Sequence, residues 1–308
     1  MMKRIEFFFV MVLAAFVMSG CASFSPEPGQ AVFASPEDAA AALKDAVKKN
    51  DTARLMEVFG AQGKELVFSG DEKVDADARA WFAKKADENT GIAGAGADGK
   101  AFFIELGNDK WPFPVPIAQY DGRYFFHTAA GLDEIVNRRI GQNELNAIKV
   151  CRTLVEAQQE YVNIRQVEGK RKEYASRILS EKGKKNGLYW DEEEREMNLC
   201  PIGALIVLAS PESPMLVRKP YHGYFYKILD SQGSSAPGGA KSYIVDGKMV
   251  NGFAFVAYPA SYGVSGIKTF IVSKNGIVFD KDLGKGSLRA AEDMKEFNPD
   301  HSWAPVRD

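Results

Sequence analysis

The fold of this chain is decided by residues 221–283, whose second half reads GFAFVAYPASYGVSGIKTFIVSKNGIVFDKDL (residues 252–283). Four runs in this stretch are rich in aromatic and β-branched residues and are bounded by turn residues. They are residues 224–229, 252–258, 267–273 and 277–280. Asn275-Gly276 separates the last two runs and is typical of a two-residue type I′ turn, in which both central residues have positive φ. The stretch therefore predicts a four-stranded antiparallel meander.

A helical pattern just upstream, in residues 143–165, is the candidate cover for this sheet. Two adjacent apolar stripes cover more than half of the helix surface, which predicts burial over a broad face. The stripes consist of Leu145, Ile148, Cys151, Val155 and Val162, and of Ala147, Val150, Leu154, Ala157, Tyr161 and Ile164. The few polar positions, among them Gln158 and Gln159, are expected to face solvent or to bridge to other segments.

The composition favours a globular chain with two domains and gives no electrostatic case for binding nucleic acid. With 308 residues, 45% of them apolar, the chain can build more than one core. Its 39 basic residues nearly balance its 41 acidic residues. His127, His222 and His301 lie far apart in the sequence and form no metal-binding motif. We therefore expect no nucleic-acid partner, no metal and no cofactor.

The N-terminus has the pattern of a secretory signal peptide over residues 1–20. Lys3 and Arg4 supply a positive first part, and residues 7–17 form an uninterrupted apolar core. This core is too short for an ordinary transmembrane helix. The sequence therefore predicts export of the chain and removal of this segment.

Residues 18–21 read MSGC, with small residues before Cys21, and a polar stretch follows. This pattern resembles the lipobox of bacterial lipoproteins. The resemblance implies cleavage before Cys21, lipidation of its thiol, a lipidated linker over residues 21–32 and a membrane anchor through that lipid. By the same resemblance, Ala22 after the cysteine implies the outer membrane, with the protein facing the periplasm. An ordinary cleaved signal peptide with an incidental cysteine is the alternative.

Residues 33–132 predict a first domain in which helices precede a small antiparallel sheet. Ser35 and Pro36 mark a helix start, because serine can cap the first turn and proline suits it. Further helical patterns run to residue 60 and over residues 75–89, and residues 91–100 are expected to form a loop.

Strand-like runs then occupy residues 101–106, 113–120 and 122–128, and Asp121-Gly122 is a second hairpin signal. The order of elements is loosely similar to the cone-shaped nuclear transport factor 2-like folds. That resemblance implies a pocket, which Trp111 and His127 could line. The aromatic residues of this region could equally form a closed core.

Besides Cys21, the chain has two cysteines, Cys151 and Cys200. In an oxidising compartment they are candidates for a disulfide, and two separately buried thiols are the alternative. A reactive catalytic thiol is less favoured, because neither cysteine has a histidine near it in sequence.

Several segments resemble a family of bacterial exported proteins that is catalogued only as a domain of unknown function. They are residues 138–145 (RRIGQNEL), 155–161 (VEAQQEY), 186–190 (NGLYW), 220–226 (PYHGYFY), 252–259 (GFAFVAYP) and 262–266 (YGVSG). The resemblance extends over residues 33–306. It implies membership of a family and no particular activity.

The second half, residues 133–308, is also distantly similar to the globular heads of type IV pilins and secretion pseudopilins. In those heads a helix that contains alanine, glutamine and tyrosine covers a meander, and a Gly-Val-x-Gly bend precedes a strand that ends in Asn-Gly. The resemblance implies an α+β fold with a long helix on a four-stranded antiparallel sheet. Pilins carry this helix at their extreme N-terminus, whereas here a separate domain precedes it, so assembly by the pilin route is not expected.

Two functions follow from these observations. The first is a cell-envelope lipoprotein that binds or scaffolds an envelope protein partner without catalysis, since the sequence has no local catalytic motif. The alternative is a periplasmic hydrolase or small-ligand-binding protein. Its pocket would lie near His127, with Asp121 or Asp133, or near His222 with Tyr221.

Overall fold

A computed structural model of the protein describes residues 25–95, 99–167, 172–190, 202, 209–211 and 218–307. The chain divides into two compact units, of which the first ends at Ile135 and the second begins at Val136. Both units contain helices and antiparallel sheets, so the predicted α+β class is confirmed. Cys21 and Cys200 lie outside the described residues.

The helices of the first unit begin at capping residues that the sequence makes recognisable. Ser35 Oγ accepts a hydrogen bond from Asp38 N at 3.0 Å, and Asp51 and Asp71 cap the next long helices in the same way. The helices are α1 (Pro36–Lys48), α2 (Thr52–Phe59), α3 (Lys64–Val67) and α4 (Glu72–Glu88), with a 3-10 turn at Ala61–Gly63. The predicted third helix is therefore α4, which begins three residues earlier than expected.

The sheet of the first unit is antiparallel, with strand order β1-β2-β4-β5, and β3 pairs with β2. Its strands are β1 (Thr90–Ala95), β2 (Ala101–Leu106), β3 (Trp111–Pro112), β4 (Ile117–Tyr120) and β5 (Arg123–Phe126). The prediction of a loop over residues 91–100 is wrong where β1 lies. The Gly- and Ala-rich sequence of β1 has low strand propensity, but the strand forms because it pairs with β2 along its whole length. Asp121 and Gly122 have φ values of 47° and 70°, so the predicted hairpin between β4 and β5 has a type I′ turn.

Aromatic side chains fill the centre of the first unit. Phe126 lies 5.4 Å from Phe59, and Phe82 lies 5.4 Å from Phe113, each pair packed edge to face. Phe126 is fully buried. Phe59, Phe82 and Phe126 belong to one buried cluster, and Phe113 packs against it partly buried.

One helix, α5 (Thr128–Val167), is 40 residues long and contains the boundary between the units. It begins fifteen residues before the predicted start at residue 143. Gly131 and Gly141 do not interrupt it, although glycine lowers helix propensity. A Cβ at Gly131 would lie 2.6 Å from Val115 Cγ2, so a close approach to the preceding segment explains that glycine.

The second unit contains the predicted meander with one additional edge strand. The sheet order is β17-β15-β14-β13-β8, and every neighbouring pair is antiparallel. Its strands are β8 (Tyr224–Leu229), β13 (Ala254–Pro259), β14 (Lys268–Ser273), β15 (Val278–Asp282) and β17 (Ala304–Pro305). β13 is buried at every position, as expected for a central strand covered on both faces.

Shorter elements complete the second unit. They are β6 (Arg177–Leu179), β7 (Gly187–Tyr189), β9 (Ser231–Gln232), β10 (Lys241–Ser242), β11 (Ile244–Val245), β12 (Lys248–Met249), β16 (Glu296–Phe297) and the helix α6 (Ser287–Asp293). β6 and β7 pair in parallel.

The turn between β14 and β15 differs from the predicted type. Gly276 N donates to Ser273 O at 2.9 Å, which makes Lys274 and Asn275 the central residues of the turn. Only Gly276 of the Asn-Gly pair has a positive φ, at 77°. In this hairpin loop the glycine follows the two central residues of the turn and occupies the left-handed position.

Helix α5 packs on this sheet, as the sequence predicted. Cys151, Leu154 and Tyr161 belong to the same buried cluster as Tyr226 and Phe270 of the sheet. Leu145 was assigned to one of the two apolar stripes of α5 but is 58% exposed, so that assignment is wrong.

Polar contacts also join the beginning of this helical face to the sheet. Glu144 Oε1 accepts from the backbone N–H groups of Ile267 and Lys268, each at 3.0 Å, and Asn143 Nδ2 donates to Ser265 O at 2.9 Å. A carboxylate that accepts two backbone hydrogen bonds fixes the helix relative to the start of β14.

Candidate binding groove

His127, a predicted pocket residue, serves as a cap at the start of α5. Its Nδ1 accepts a hydrogen bond from Ala130 N at 3.1 Å, and its carbonyl accepts from Gly131 N at 3.1 Å. Its ring lies 6.1 Å from that of Phe125. Because Nδ1 is an acceptor here, the neutral ring carries its proton on Nε2.

Tyr221 and His222 lie at a tight turn in the second unit. The backbones of Tyr221 and Tyr224 exchange hydrogen bonds of 2.9 and 3.1 Å, while His222 and Gly223 have φ values of 50° and 75°. This geometry is a type I′ turn. The Tyr221 and His222 rings are 4.2 Å apart, and His222 Nδ1 lies 3.4 Å from Asn146 Nδ2. His222 is therefore the first central residue of this turn.

Trp111 packs against other aromatic side chains of the first unit. Its ring lies 5.0 Å from Trp81, edge to face, and 6.5 Å from Phe113. Of the four side chains proposed to line a pocket, the structure brings together Tyr221 and His222. His127 and Trp111 belong to the first unit, and each contacts different neighbours.

A groove that the sequence did not predict lies beside α5 in the second unit. We call it the α5 groove; its volume is about 420 Å³. Its lining residues come from α5, from the segment before β6, from the residue before β13 and from the β14–β15 turn: Val155, Glu156, Gln159, Tyr174, Phe253, Lys274 and Asn275.

The walls of the α5 groove are held by hydrogen bonds from buried groups. Gln158 is fully buried, and its amide donates to Ala175 O at 2.8 Å and accepts from Ala175 N at 2.9 Å. These bonds fix the segment that carries Tyr174 against α5. Tyr174 N also donates to Met249 O at 2.8 Å, and Lys274 N donates to Phe253 O at 3.2 Å.

The α5 groove offers aromatic edges at its base and hydrogen-bonding groups at its rim. The Tyr174 and Phe253 rings are 4.9 Å apart and mostly buried. Glu156, Lys274 and Asn275 are exposed and supply an anion, a cation and an amide. The two charges balance, so the groove suits a neutral polar ligand that both donates and accepts hydrogen bonds.

A family model described as a protein of unknown function (DUF2950) matches residues 30–306. The chain belongs to this family. The match covers both units of the DUF2950 chain and confirms the predicted membership of a family without an established activity. No curated protein and no solved structure matches the chain. The similarities to pilin heads and to nuclear transport factor 2-like folds stay predictions.

A second groove of the DUF2950 chain lies between α1 and α4 in the first unit and has a volume of about 330 Å³. Lys48 and Asp87 line it and form an ion pair of 2.5 Å, and Lys44 pairs with the same carboxylate at 3.2 Å. Both lysines hold the pKa of Asp87 below its usual value, Lys48 more strongly. The ion pairs join α1 to α4, so we assign this groove a structural role.

Within the described residues, no cluster of three or more His, Cys, Asp or Glu side chains could hold a metal ion. No helix among them is both long and apolar enough to cross a membrane.

Cys151 is a free and fully buried thiol on α5. Burial raises its pKa from 9.0 to about 12, because a thiolate would be poorly solvated there. The thiol is thus a packing group with little nucleophilic character. Cys200 lies outside the described residues, so a bond between the two cysteines stays a prediction.

We expect Cys151 of the folded Cys200→Ser variant to resist iodoacetamide at about pH 8, where roughly one thiol in ten thousand is ionised. The same thiol should react in concentrated urea, because the unfolded chain exposes it. The pKa of the Cys151 thiol is higher in the folded chain than in the unfolded chain. The stability that the buried, protonated thiol contributes should therefore be lost as pH rises from 9.0 toward about 12. Peptide mass mapping measures the reaction; rapid labelling of the folded protein would show that Cys151 is accessible.

Proposed function

We propose that this DUF2950 protein is an exported, lipid-anchored protein of the cell envelope that binds a partner through the α5 groove without catalysing a reaction. The observation that carries the proposal is the α5 groove itself, a preformed concave site with paired donors and acceptors. Residues 1–21 supply the expected signal peptide and lipidated cysteine, and the outer membrane is the expected address.

The alternative of a hydrolase finds less support in the local chemistry. Catalysis needs a nucleophile or a general base that is free to meet a substrate. His127 Nδ1 caps α5, His222 lies in a turn, and the Cys151 thiol is buried with a raised pKa. Burial also raises the pKa of Tyr224 and of Tyr226 well above the usual value. These groups are used to build the fold.

The groove also indicates the chemistry of the partner. Because the charges of Glu156 and Lys274 balance, neither a strongly anionic nor a strongly cationic ligand would gain much affinity from charge alone. The amides of Gln159 and Asn275 can each donate and accept. An extended segment of an envelope protein, with its alternating backbone N–H and C=O groups, fits this pattern.

Site-specific photo-crosslinking in intact cells tests the proposal. A benzophenone side chain placed at Gln159, on the groove, should yield a discrete protein adduct. The same group at Lys149, an exposed α5 position outside the groove lining, should not. Adding Glu156→Lys should weaken the Gln159 adduct by removing the charge balance. No adduct at Gln159, or equal adducts at both positions, would rule out the α5 groove as the binding site.

A further inference from the structure

Part of the predicted lipidated linker, residues 21–32, is folded: residues 27–30 pack against the first unit. Residues 27–30 (EPGQ) form a tight turn in which Gln30 N donates to Glu27 O at 2.9 Å and Glu27 N donates to Gln30 Oε1 at 3.0 Å. Gly29 has a φ of 82°. Proline followed by glycine with positive φ is typical of a type II turn. We call residues 27–30 the tether turn.

The tether turn is fastened to the first unit by residues distant in sequence. Gln30 Nε2 donates to Val58 O at 3.1 Å and to Phe126 O at 2.8 Å. Ala31 N donates to Glu57 O at 2.7 Å. The amide of Gln30 thereby satisfies carbonyl groups at the end of α2 and at the end of β5.

Glu27 makes the second attachment. Its Oε2 accepts from Ala61 N at 2.6 Å and from Gln62 N at 3.4 Å, at the start of the 3-10 turn. A carboxylate is favourable there, because the first N–H groups of a helical turn have no partner within it. Gly60 leaves the necessary room, since a Cβ at that position would lie 2.7 Å from Glu27 Oε2.

We propose that the tether turn holds the first unit against the membrane surface. Glu27 lies six positions after Cys21, so the fully extended chain between them spans at most about 20 Å. Without the tether turn and the adjoining bond of Ala31, the next backbone attachment is Phe33, whose N–H and C=O groups pair with Tyr124, and the free chain would span up to about 40 Å. The tether turn thus removes about half of the reach of the chain, so the lipid headgroups and the exposed residues Ala61 and Gln62 lie close together.

This inference rests on the proposed lipid anchor at Cys21, and energy transfer to the membrane tests it. The full lipidated chain is placed in vesicles that contain an acceptor lipid, with a donor fluorophore on a bio-orthogonal side chain at Gln62. Inserting about twenty Gly and Ser residues between Ala22 and Ser23 lengthens the tether by some 25 Å root-mean-square and should lower transfer about twofold. The double variant Glu27→Ala, Gln30→Ala should also lower energy transfer.

Glu37→Ala is the matched control, because Glu37 is an exposed glutamate of the same unit at the start of α1. It should leave transfer unchanged. Equal transfer in the native chain and in the insertion variant would overturn the short tether. The insertion does not touch the described fold, so this comparison holds even if the double variant unfolds.

A second arm separates failure of the tether from failure of the anchor. The mass of the mature protein shows whether Cys21 carries lipid, and an unmodified Cys21 would contradict the proposed function. In that case the Cys200→Ser chain, which starts at Cys21, is coupled through Cys21 to a maleimide lipid, while Cys151 is protected by burial. The same comparison of native and lengthened tethers then decides the inference by itself.

Discussion

Gln158→Ala is expected to lower the free energy of unfolding of the second unit by about 3 kcal/mol, because it leaves two buried backbone groups without partners. The side-chain amide of Gln158 both donates to and accepts from Ala175, and both residues are fully buried. Alanine removes both hydrogen bonds and admits no new partner. Since Ala175 follows Tyr174, we also expect the wall of the α5 groove to loosen.

Gln159→Ala is the matched control for this prediction. The two glutamines are consecutive on α5, but Gln159 is exposed and its amide donates only to Asn163 Oδ1, at 3.2 Å. Its removal should change stability by less than about 0.5 kcal/mol. Urea unfolding followed by circular dichroism measures both variants. Equal losses for Gln158 and Gln159 would show that the buried amide does not hold the 174–175 segment.

The meander and its covering helix were predictable because their signals are local. Alternating aromatic and β-branched runs between turn residues mark β8, β13, β14 and β15, and the apolar stripes mark most of α5. The capping residues Ser35 and Asp51 mark helix starts in the same way.

The elements that the sequence missed depend on partners elsewhere in the chain. β1 has weak strand propensity and exists because β2 pairs with it. The N-terminal part of α5 contains two glycines and relies on the cap from His127. Leu145 was assigned to an apolar stripe and yet is exposed, because nine residues separate it from the buried Leu154, and about 100° per residue places the two on opposite faces of α5.

The site was harder to predict than the fold for the same reason. The α5 groove draws its lining from four separate segments, and no one of them carries a recognisable motif. The tether turn did leave a local signal, Pro28-Gly29, which is typical of a type II turn. Its attachment was not visible, because Gln30 bonds to carbonyls 28 and 96 residues away.

Leu154→Ala and Leu145→Ala together test the central claim, that the apolar face of α5 is buried against the sheet of the second unit. Leu154 is fully buried within the cluster that contains Tyr226 and Phe270, whereas Leu145 is 58% exposed. The same substitution is thus made twice on one helix, at two positions that were both assigned to its apolar stripes.

The deciding measurement is the difference in free energy of unfolding between these two variants, obtained from urea titrations of the full chain. We predict a loss of about 3 kcal/mol for Leu154→Ala, from lost burial and the cavity left behind. For Leu145→Ala we predict less than about 0.5 kcal/mol. Similar losses at both positions, or a larger loss at Leu145, would contradict the packing of α5 on this sheet.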